Sequence, residues 1–219
     1  MAYNGGAFSS KVIPWEVGRN TRNMINLTKR QKDILIGTIL GDAYLQKTGQ
    51  KNARLRLEHG AKQKEYIMWK VGELGNLFQG KPKSLERIHP VTKKTYSYWR
   101  HQSQSTPYLG KLRKIFYPEG RKTIPNNLEK YMSWLMLATW YMDDGYYYQK
   151  DGCGYIYLGN VSKEEANIVN KAINKMGIDN RIYSKKKGYA IYFPVSQMTI
   201  LSKKIKKYII PSLMYKIPS

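Results

Sequence analysis

The feature that most constrains this fold is a short apolar segment that ends abruptly in two acids, LMLATWYMDDG, from Leu135 to Gly145. Among the twelve residues 131–142 only Ser133 and Thr139 are polar, so a helix here is apolar on every side and must be buried all round. A membrane span needs roughly 20 apolar residues. The segment therefore predicts a buried core helix and not a transmembrane one.

The acidic end of this helix is its unusual part. Asp143 and Asp144 fall at the helix C-terminus, where the macrodipole is already negative, so the pair favours a nearby cation. Gly145 is expected to end the helix in the left-handed conformation. The alternative interpretation is an ordinary Asp-Gly turn after an apolar run.

A second copy of the pattern precedes the first. ILIGTILGDA, from Ile34 to Ala43, is again an apolar helical run that ends in a small residue, an acid and a small residue, and Asp42 corresponds to Asp144. Gly37 and Gly41 lie four residues apart on this predicted helix. Since glycine weakens a helix interior, their spacing predicts close approach of another backbone, most simply that of the second apolar helix.

Charge indicates the partner of the chain. Lys and Arg number 38 against 15 acids among 219 residues, and the formal net charge of +23 points to a polyanion, with nucleic acid favoured. A membrane surface is disfavoured because the basic residues do not gather in one amphipathic helix. The single cysteine, Cys153, excludes an internal disulfide and a cysteine zinc site, which suits a reducing compartment. His59, His89 and His101 lack the spacing of a zinc or histidine-nuclease site and are interpreted as structural residues or DNA contacts.

Hydrophobic periodicity divides the chain into two similar parts. Residues 1–26 are interpreted as a basic arm, 27–117 as a first half, 118–130 as a linker and 131–219 as a second half. Each half reads helix, two strands, helix, two strands, helix. Thr28 is the expected N-cap of the first helix, and Ser162 with Glu165 forms the expected capping box of a later one.

A second pair of similar segments supports an internal duplication of the chain. LRKIFYPEGRKTIP, which ends at Pro125, resembles IKKYIIPSLMYKIP, which ends at Pro218, in length and in its prolines. Lys122 and Lys216 stand just before the terminal Ile-Pro of each copy, one residue out of register. Each half thus offers one acid and one lysine, although either lysine is equally interpretable as part of a solvated basic surface.

These residues resemble the LAGLIDADG homing endonucleases of the single-chain, two-motif kind. Residues 35–43 (LIGTILGDA) and 137–145 (LATWYMDDG) occupy the nine motif positions, and the KTIPNN and MYKIP stretches are similar to the yeast mitochondrial, intron-encoded member of the family. The sequence departs from the motif at Ala43, where glycine is usual, and at Asp143, where a small residue is usual. Gly41 occupies the position equivalent to Asp143, whose role the sequence leaves open.

The resemblance implies an α+β fold in which two pseudo-symmetric αββαββα halves pack through the motif helices, each with a curved antiparallel DNA-binding sheet. It implies that Asp42 and Asp144 bind a divalent metal, Mg²⁺ with Mn²⁺ as a substitute, since hard oxygen ligands suit these ions. Lys122 and Lys216 are then expected to line the active sites, and Glu58 is a weaker candidate for orienting water. The implied reaction is hydrolysis of both strands of a long, asymmetric double-stranded DNA target by a monomer, leaving short 3′ overhangs.

Alternation along the strands selects candidate DNA contacts: Arg54, Arg56, Tyr98, Arg100, Arg181, Tyr183 and Lys185. The alternative interpretation of these residues is that they form an ordinary solvated sheet face. The abundance of tyrosine is equally explained by strand propensity. Two other functions stay open, an RNA-binding intron maturase and a non-cleaving DNA-binding regulator. The expected location is intracellular, in an organelle such as the mitochondrion or in a bacterial or archaeal cytoplasm.

Overall fold

The computed structural model describes residues 25–218, so most of the arm predicted at 1–26 lies outside the described residues. The first half contains α1 (Lys29–Leu40), β1 (Tyr44–Lys47), β2 (Ala53–Gly60), α2 (Lys64–Glu73), β3 (Lys83–Ile88), β4 (Thr95–Gln102) and α3 (Pro107–Phe116). The second contains α4 (Trp134–Asp144), β5 (Gly145–Tyr148), β6 (Cys153–Gly159), α5 (Lys163–Lys175), β7 (Arg181–Lys185), β8 (Gly188–Phe193) and α6 (Val195–Ile205). The predicted α+β class and the αββαββα order of each half are confirmed.

Each half builds one antiparallel sheet of four strands, in the orders β1-β2-β4-β3 and β5-β6-β8-β7. Side chains alternate between the two faces of each strand. Leu55 and Leu57 of β2 are fully buried in the core, whereas Arg54 and Arg56 between them point to the other face and stay partly exposed. Each sheet therefore covers the core with one face and presents the other outward.

The two motif helices, α1 and α4, pack against each other at the centre of the molecule. A Cβ added at Gly37 would lie 2.5 Å from the carbonyl oxygen of Met136 and 2.8 Å from Cβ of Thr139. One added at Gly41 would collide with the Asp143 carboxylate and lie 2.6 Å from its Cβ. The close backbone approach predicted from the two glycines is confirmed.

Helix ends follow the predicted caps with one exception. Thr28 caps α1 through a box with Gln31, and Ser162 caps α5 through a box with Glu165. The prediction that Gly145 adopts the left-handed conformation is wrong, because its φ of −76° and ψ of 145° are extended and β5 begins at this residue. Glycine is required there by space, since a Cβ would collide with the carbonyl oxygen of Tyr141.

Hydrophobic periodicity predicts helices over residues 62–78 and 194–208, and both are shorter in the structure. The first forms α2 only over Lys64–Glu73, with short 3₁₀ turns on either side, and the second ends as an α-helix at Ile205. Gly72 and Gly75 near the end of α2 lower its helix propensity. Within residues 25–218, no helix combines the length and the apolar character needed to cross a membrane.

Candidate active site

The two motif acids come from different halves and meet at the same end of the paired helices. Asp42 follows the C-terminal end of α1, and Asp144 is the last residue of α4. The backbone N–H of Asp42 donates to Oδ2 of Asp143 at 3.2 Å, which ties the first motif to the second. Asp144 Oδ2 accepts a hydrogen bond of 3.0 Å from Nε1 of Trp140, one helical turn earlier.

Both acids resist ionisation. Burial raises the pKa of Asp144 to about 7, and the charges of Asp42 and Asp143 act in the same direction. The pKa of Asp42 is raised as well, first because surrounding groups exclude water from part of its carboxylate and then because of the charge of Asp143. The rest of the Asp42 side chain is exposed to solvent. Converging carboxylates that repel each other in this way are stabilised by a cation placed between them.

The predicted lysines occupy equivalent places beside these acids. Lys122 Nζ donates to the carbonyl oxygen of Gly41, the residue before Asp42. Lys216 Nζ donates to the carbonyl oxygens of Met142 and Asp143, at 2.7 and 3.0 Å, just before Asp144. Each lysine thus binds the negative end of its own motif helix, so neither is a freely solvated surface residue.

The chain segments that hold the two lysines are themselves anchored. Glu165 of α5 accepts a hydrogen bond of 3.1 Å from the backbone N–H of Ile124 and forms an ion pair with Arg121 at 3.1 Å, which fixes the segment on both sides of Lys122. The hydroxyl of Tyr141 donates to the carbonyl oxygen of Lys216 at 2.9 Å. Burial lowers the pKa of both lysines, and the charges of the neighbouring acids oppose this effect.

A buried polar cluster lies directly behind the acids. Lys70 of α2 forms an ion pair with Asp143, 2.6 Å from Nζ to Oδ1, and also contacts Nε2 of His59 at 3.2 Å. Burial and the neighbouring charge of Lys70 lower the pKa of His59 to about 4, so its imidazole is neutral at physiological pH. Asp42, His59 and Asp143 lie close enough to share a metal ion. However, the ammonium group of Lys70 already contacts both Asp143 and His59 and occupies the place that a metal ion bound to them would take.

The other two histidines have structural surroundings. His89 accepts hydrogen bonds from the backbone N–H groups of Val91 and Thr92 in the β3–β4 turn. The ring of His101 stacks on Phe78 at 5.2 Å between centroids. Neither belongs to the acid cluster.

Glu58 binds three arginines on the outer face of the first sheet. Its carboxylate pairs with Arg56 at 2.8 Å, Arg100 at 2.9 Å and Arg87 at 3.1 Å. Burial alone would raise the pKa of Glu58, but the hydrogen bonds from Arg56 and Arg100 outweigh it and hold the pKa below its ordinary value. A cavity of about 560 Å³ is lined by both Glu58 and Asp42, so the arginine cluster borders the acidic site.

The remaining predicted contact residues lie on the outer sheet faces. Arg54 donates to Gln46 at 3.0 Å, and the ring of Tyr98 is only 8% exposed because Arg87 and Arg100 lie over it. Arg181, Tyr183 and Lys185 share the outer face of the second sheet. Sequence reasoning missed several residues on these faces, although alternation with buried neighbours marks many of them: Gln46, Lys83, Arg87, Tyr146, Tyr148, Tyr155, Tyr157 and Tyr192.

Comparison with known proteins agrees with this geometry. The family model described as the LAGLIDADG DNA endonuclease family matches residues 32–201, a span that includes both nine-residue motifs and both sheets. The chain belongs to the LAGLIDADG DNA endonuclease family. It has the two motifs of the single-chain members, Asp42 and Asp144 being the eighth residues.

The relatives to which this chain is similar differ in their described roles. The cytochrome b mRNA maturase bI2 of Debaryomyces hansenii is 30% identical over 205 residues, covering 87% of this chain and 74% of that protein. The probable intron-encoded endonuclease 1 of Wickerhamomyces canadensis is 29% identical over 198 residues, covering 87% and 85%. The homing endonuclease I-WcaI, solved bound to its DNA recognition sequence, matches with a TM-score of 0.83 at 27% identity, covering 93% of this chain and 96% of that one.

Proposed function

We propose that this protein is a site-specific homing endonuclease that hydrolyses both strands of a long, asymmetric double-stranded DNA target and leaves short 3′ overhangs. It acts as a monomer whose halves, 27–117 and 131–219, are joined by the linker 118–130. The observation that supports this most strongly is the meeting of one acid from each half, each beside a lysine bound to the end of its motif helix. This arrangement lies between two sheets with outward faces that contain arginine, lysine and tyrosine.

The donor set fits a divalent metal ion. Asp42 and Asp144 offer hard carboxylate oxygens, and the pKa of each is raised, first by burial and then by the charges of neighbouring acids. Mg²⁺ is the proposed ion, with Mn²⁺ as a substitute, since such ions use one or two carboxylates together with phosphate oxygens and water. When bound, the ion would polarise the scissile phosphate and lower the pKa of the attacking water.

The protein's own groups have complementary roles. The ammonium groups of Lys122 and Lys216, held at the helix ends, neutralise negative charge that develops on the phosphate in the transition state or hold an ordered water. Glu58 borders the same cavity as Asp42 and is a candidate for orienting water. Its oxygens already accept from three arginines, however, so its principal role is to hold these guanidinium groups in place.

The decisive experiment is selection of cleaved sequences from a DNA library in Mg²⁺, with Asp144→Asn tested on the selected target. We expect wild-type protein to cut one long sequence in both strands, and the variant to bind the same DNA in Ca²⁺ without cutting it. Asp151→Asn removes an exposed acid from the β5–β6 turn and is the matched control for the loss of one charge. Specific binding without cleavage by wild-type protein in either Mg²⁺ or Mn²⁺ would leave a DNA-binding regulator and overturn the nuclease.

RNA maturation is a second candidate, favoured by the 30% identity with cytochrome b mRNA maturase bI2. A basic groove of about 780 Å³ between the β1–β2 turn and α3 is consistent with a second polyanion. The cations that line it are Lys47, Lys51, Lys111, Arg113 and Lys114. A splicing assay on a host intron separates the two activities, because we expect Asp144→Asn to abolish DNA cleavage and to leave a maturase active.

A further inference from the structure

The two sheets have equivalent topology, which allows their outward faces to be compared position by position. Tyr44 and Tyr146 each lie two residues after a motif acid and begin equivalent rows across the strands. In the first sheet the row continues through Arg56 of β2 to Gln102 of β4. In the second it continues through Tyr155 of β6 to Tyr192 of β8.

The two sheets differ even more in the next row of outward residues, which passes through Glu58 in the first sheet and Tyr157 in the second. In the first sheet Glu58 lies opposite Arg100, which lies opposite Lys83. In the second sheet Tyr157 lies opposite Ala190, which lies opposite Tyr183. Two of the three charged residues in this row of the first face, Glu58 and Lys83, are thus replaced by tyrosines on the second, and Arg100 is replaced by Ala190.

The first face is an array of guanidinium groups. Arg56, Arg87 and Arg100 converge on Glu58, and Arg54 is oriented by Gln46. Because these partners fix the side chains before any ligand binds, little conformational entropy is lost on contact. Arginine donates two parallel hydrogen bonds to O6 and N7 of guanine in the major groove, which is the commonest specific contact to DNA.

The second face is an array of aromatic rings. Six tyrosines point outward from its four strands: Tyr146, Tyr148, Tyr155, Tyr157, Tyr183 and Tyr192. Tyr155 is at the centre, with ring centroids 5.0 Å from Tyr192, 5.5 Å from Tyr148 and 5.9 Å from Tyr157. Exposed aromatic surface of this extent on a sheet marks a binding face.

The charge on this second face is positive but sparse. The outward strand positions contain two cations, Arg181 and Lys185, and no acid. Lys185 Nζ lies 4.4 Å from the ring centre of Tyr155, so one of these cations is held against the rings. DNA that meets this face encounters mainly apolar ring surface and phenol hydroxyls. Apolar ring surface of this kind contacts the C5-methyl group of thymine, a group that guanine lacks.

We propose that the two halves recognise DNA of different composition: the arginine face reads a half-site that contains guanine, and the tyrosine face reads a half-site rich in A·T pairs. The proposal rests on the proposed function, because it assumes that both outward faces contact double-stranded DNA. It goes beyond that function by naming the base class that each half prefers.

The test is selection of bound sequences from a randomised DNA library by full-length protein in Ca²⁺, which separates binding from cleavage. The expected result is guanine at defined positions in one half-site and A·T pairs in the other. Arg56→Gln should lower the guanine preference about tenfold at one position in the first half-site only. Tyr155→Ala should relax the A·T preference in the other half-site only, and Tyr155→Phe should retain it because the ring remains.

Tyr215→Ala removes an exposed ring outside both sheets and should leave the selected sequence unchanged. Thermal unfolding of each variant identifies any that fail to fold, and Tyr155→Phe then provides the comparison in place of Tyr155→Ala. The proposal is overturned if the half-site bound by the tyrosine face is rich in guanine, or if Arg56→Gln changes both half-sites equally. Neither result would contradict the proposed endonuclease function. Absence of specific DNA binding by wild-type protein overturns the proposed function itself.

Discussion

Lys70 and Asp143 form an ion pair of 2.6 Å in which neither side chain is exposed to solvent. Lys70 belongs to α2 of the first half and Asp143 to α4 of the second, so the pair connects the halves. Asp143 also accepts the backbone N–H of Asp42 and fills the space left by Gly41. The acid whose role the sequence left open is therefore a structural element that fixes the first motif acid.

Loss of Lys70 should destabilise the protein strongly. Lys70→Met leaves Asp143 buried without its counter-charge, which typically costs about 3–5 kcal/mol of the free energy of unfolding. The double variant Lys70→Met with Asp143→Asn should recover at least about 1 kcal/mol of this loss, because the two residues are directly coupled. Urea unfolding monitored by circular dichroism measures both values.

Lys171→Met, which removes an exposed lysine from α5, is the control for this pair and should change the free energy of unfolding by less than about 0.5 kcal/mol. Strictly additive effects of the two substitutions would contradict the coupling between Lys70 and Asp143.

Gly41→Ala, at the C-cap of α1, should be destabilising. The added Cβ would lie 2.6 Å from Cβ of Asp143, so the helices must separate, at a cost of about 1–3 kcal/mol. Gly72→Ala is the matched control, because Gly72 lies near the end of α2 with nothing within 4 Å of an added Cβ. Thermal unfolding should show a lower Tm for Gly41→Ala and an equal or higher Tm for Gly72→Ala; equal shifts would contradict close packing at Gly41.

The helix order and the crossing of α1 and α4 could be predicted because they depend on local signals. Apolar runs, capping residues and the spacing of Gly37 and Gly41 are all visible within one segment of the chain. The partner of Asp143 could not be predicted in the same way. Lys70 lies on a different element, where a lysine in an amphipathic helix is normally expected to be solvated, and only the packing of α2 against α4 places it in the core.

The tyrosine face of the second sheet could likewise be predicted only in part. Alternation makes Tyr146 with Tyr148, and Tyr155 with Tyr157, recognisable as residues that share a face of one strand. That these strands join with β8 and β7 so that Tyr155 meets Tyr192 depends on the register, which is set by packing between distant segments. Strand propensity accounts for the abundance of tyrosine but does not predict that six of these rings gather on one face of the second sheet.

The free energy of unfolding of metal-free protein should depend on pH through Asp144. The folded-state pKa is about 7 against an ordinary value of 3.8, so the folded state holds this proton more tightly than the unfolded state. Above pH 7 the folded protein must hold Asp144 ionised, which lowers the free energy of unfolding by its full amount. This destabilisation decreases as the pH falls from 7 toward 4, because the carboxyl becomes protonated in the folded state. Asp144→Asn should thus be more stable than wild type by a few kcal/mol at pH 8 in EDTA, with a smaller advantage at pH 5.

Asp151→Asn serves as the control for this pH series, and its difference from wild type should be the same at pH 8 and pH 5. An Asp144→Asn advantage that stays constant between pH 8 and pH 5 would contradict the raised pKa of Asp144.

DNA affinity should fall steeply with salt. A chain with a net charge of +23 and two outward sheet faces that contain cations releases counterions from the phosphates when it binds. Raising NaCl from 50 to 200 mM should weaken binding by about 10³-fold or more if six or more phosphates are contacted, as measured by fluorescence anisotropy in Ca²⁺. A nearly constant affinity across this range would argue against an interface that follows the DNA backbone.

Lys122 and Lys216 should each support cleavage of one strand more than the other, because each is bound to a different motif helix. Lys122→Met and Lys216→Met should each slow cleavage by about 100-fold, the usual effect of removing one group that stabilises transition-state charge, and leave affinity in Ca²⁺ almost unchanged. Since the pseudo-symmetric halves present one lysine each, either single variant should accumulate nicked plasmid, and the strand that stays intact should differ between the two. Labelling the two strands separately measures this directly, with Lys171→Met as the control that cuts both strands at the wild-type rate. Equal slowing of both strands by each variant would mean that the lysines act on a shared step and not on separate strands.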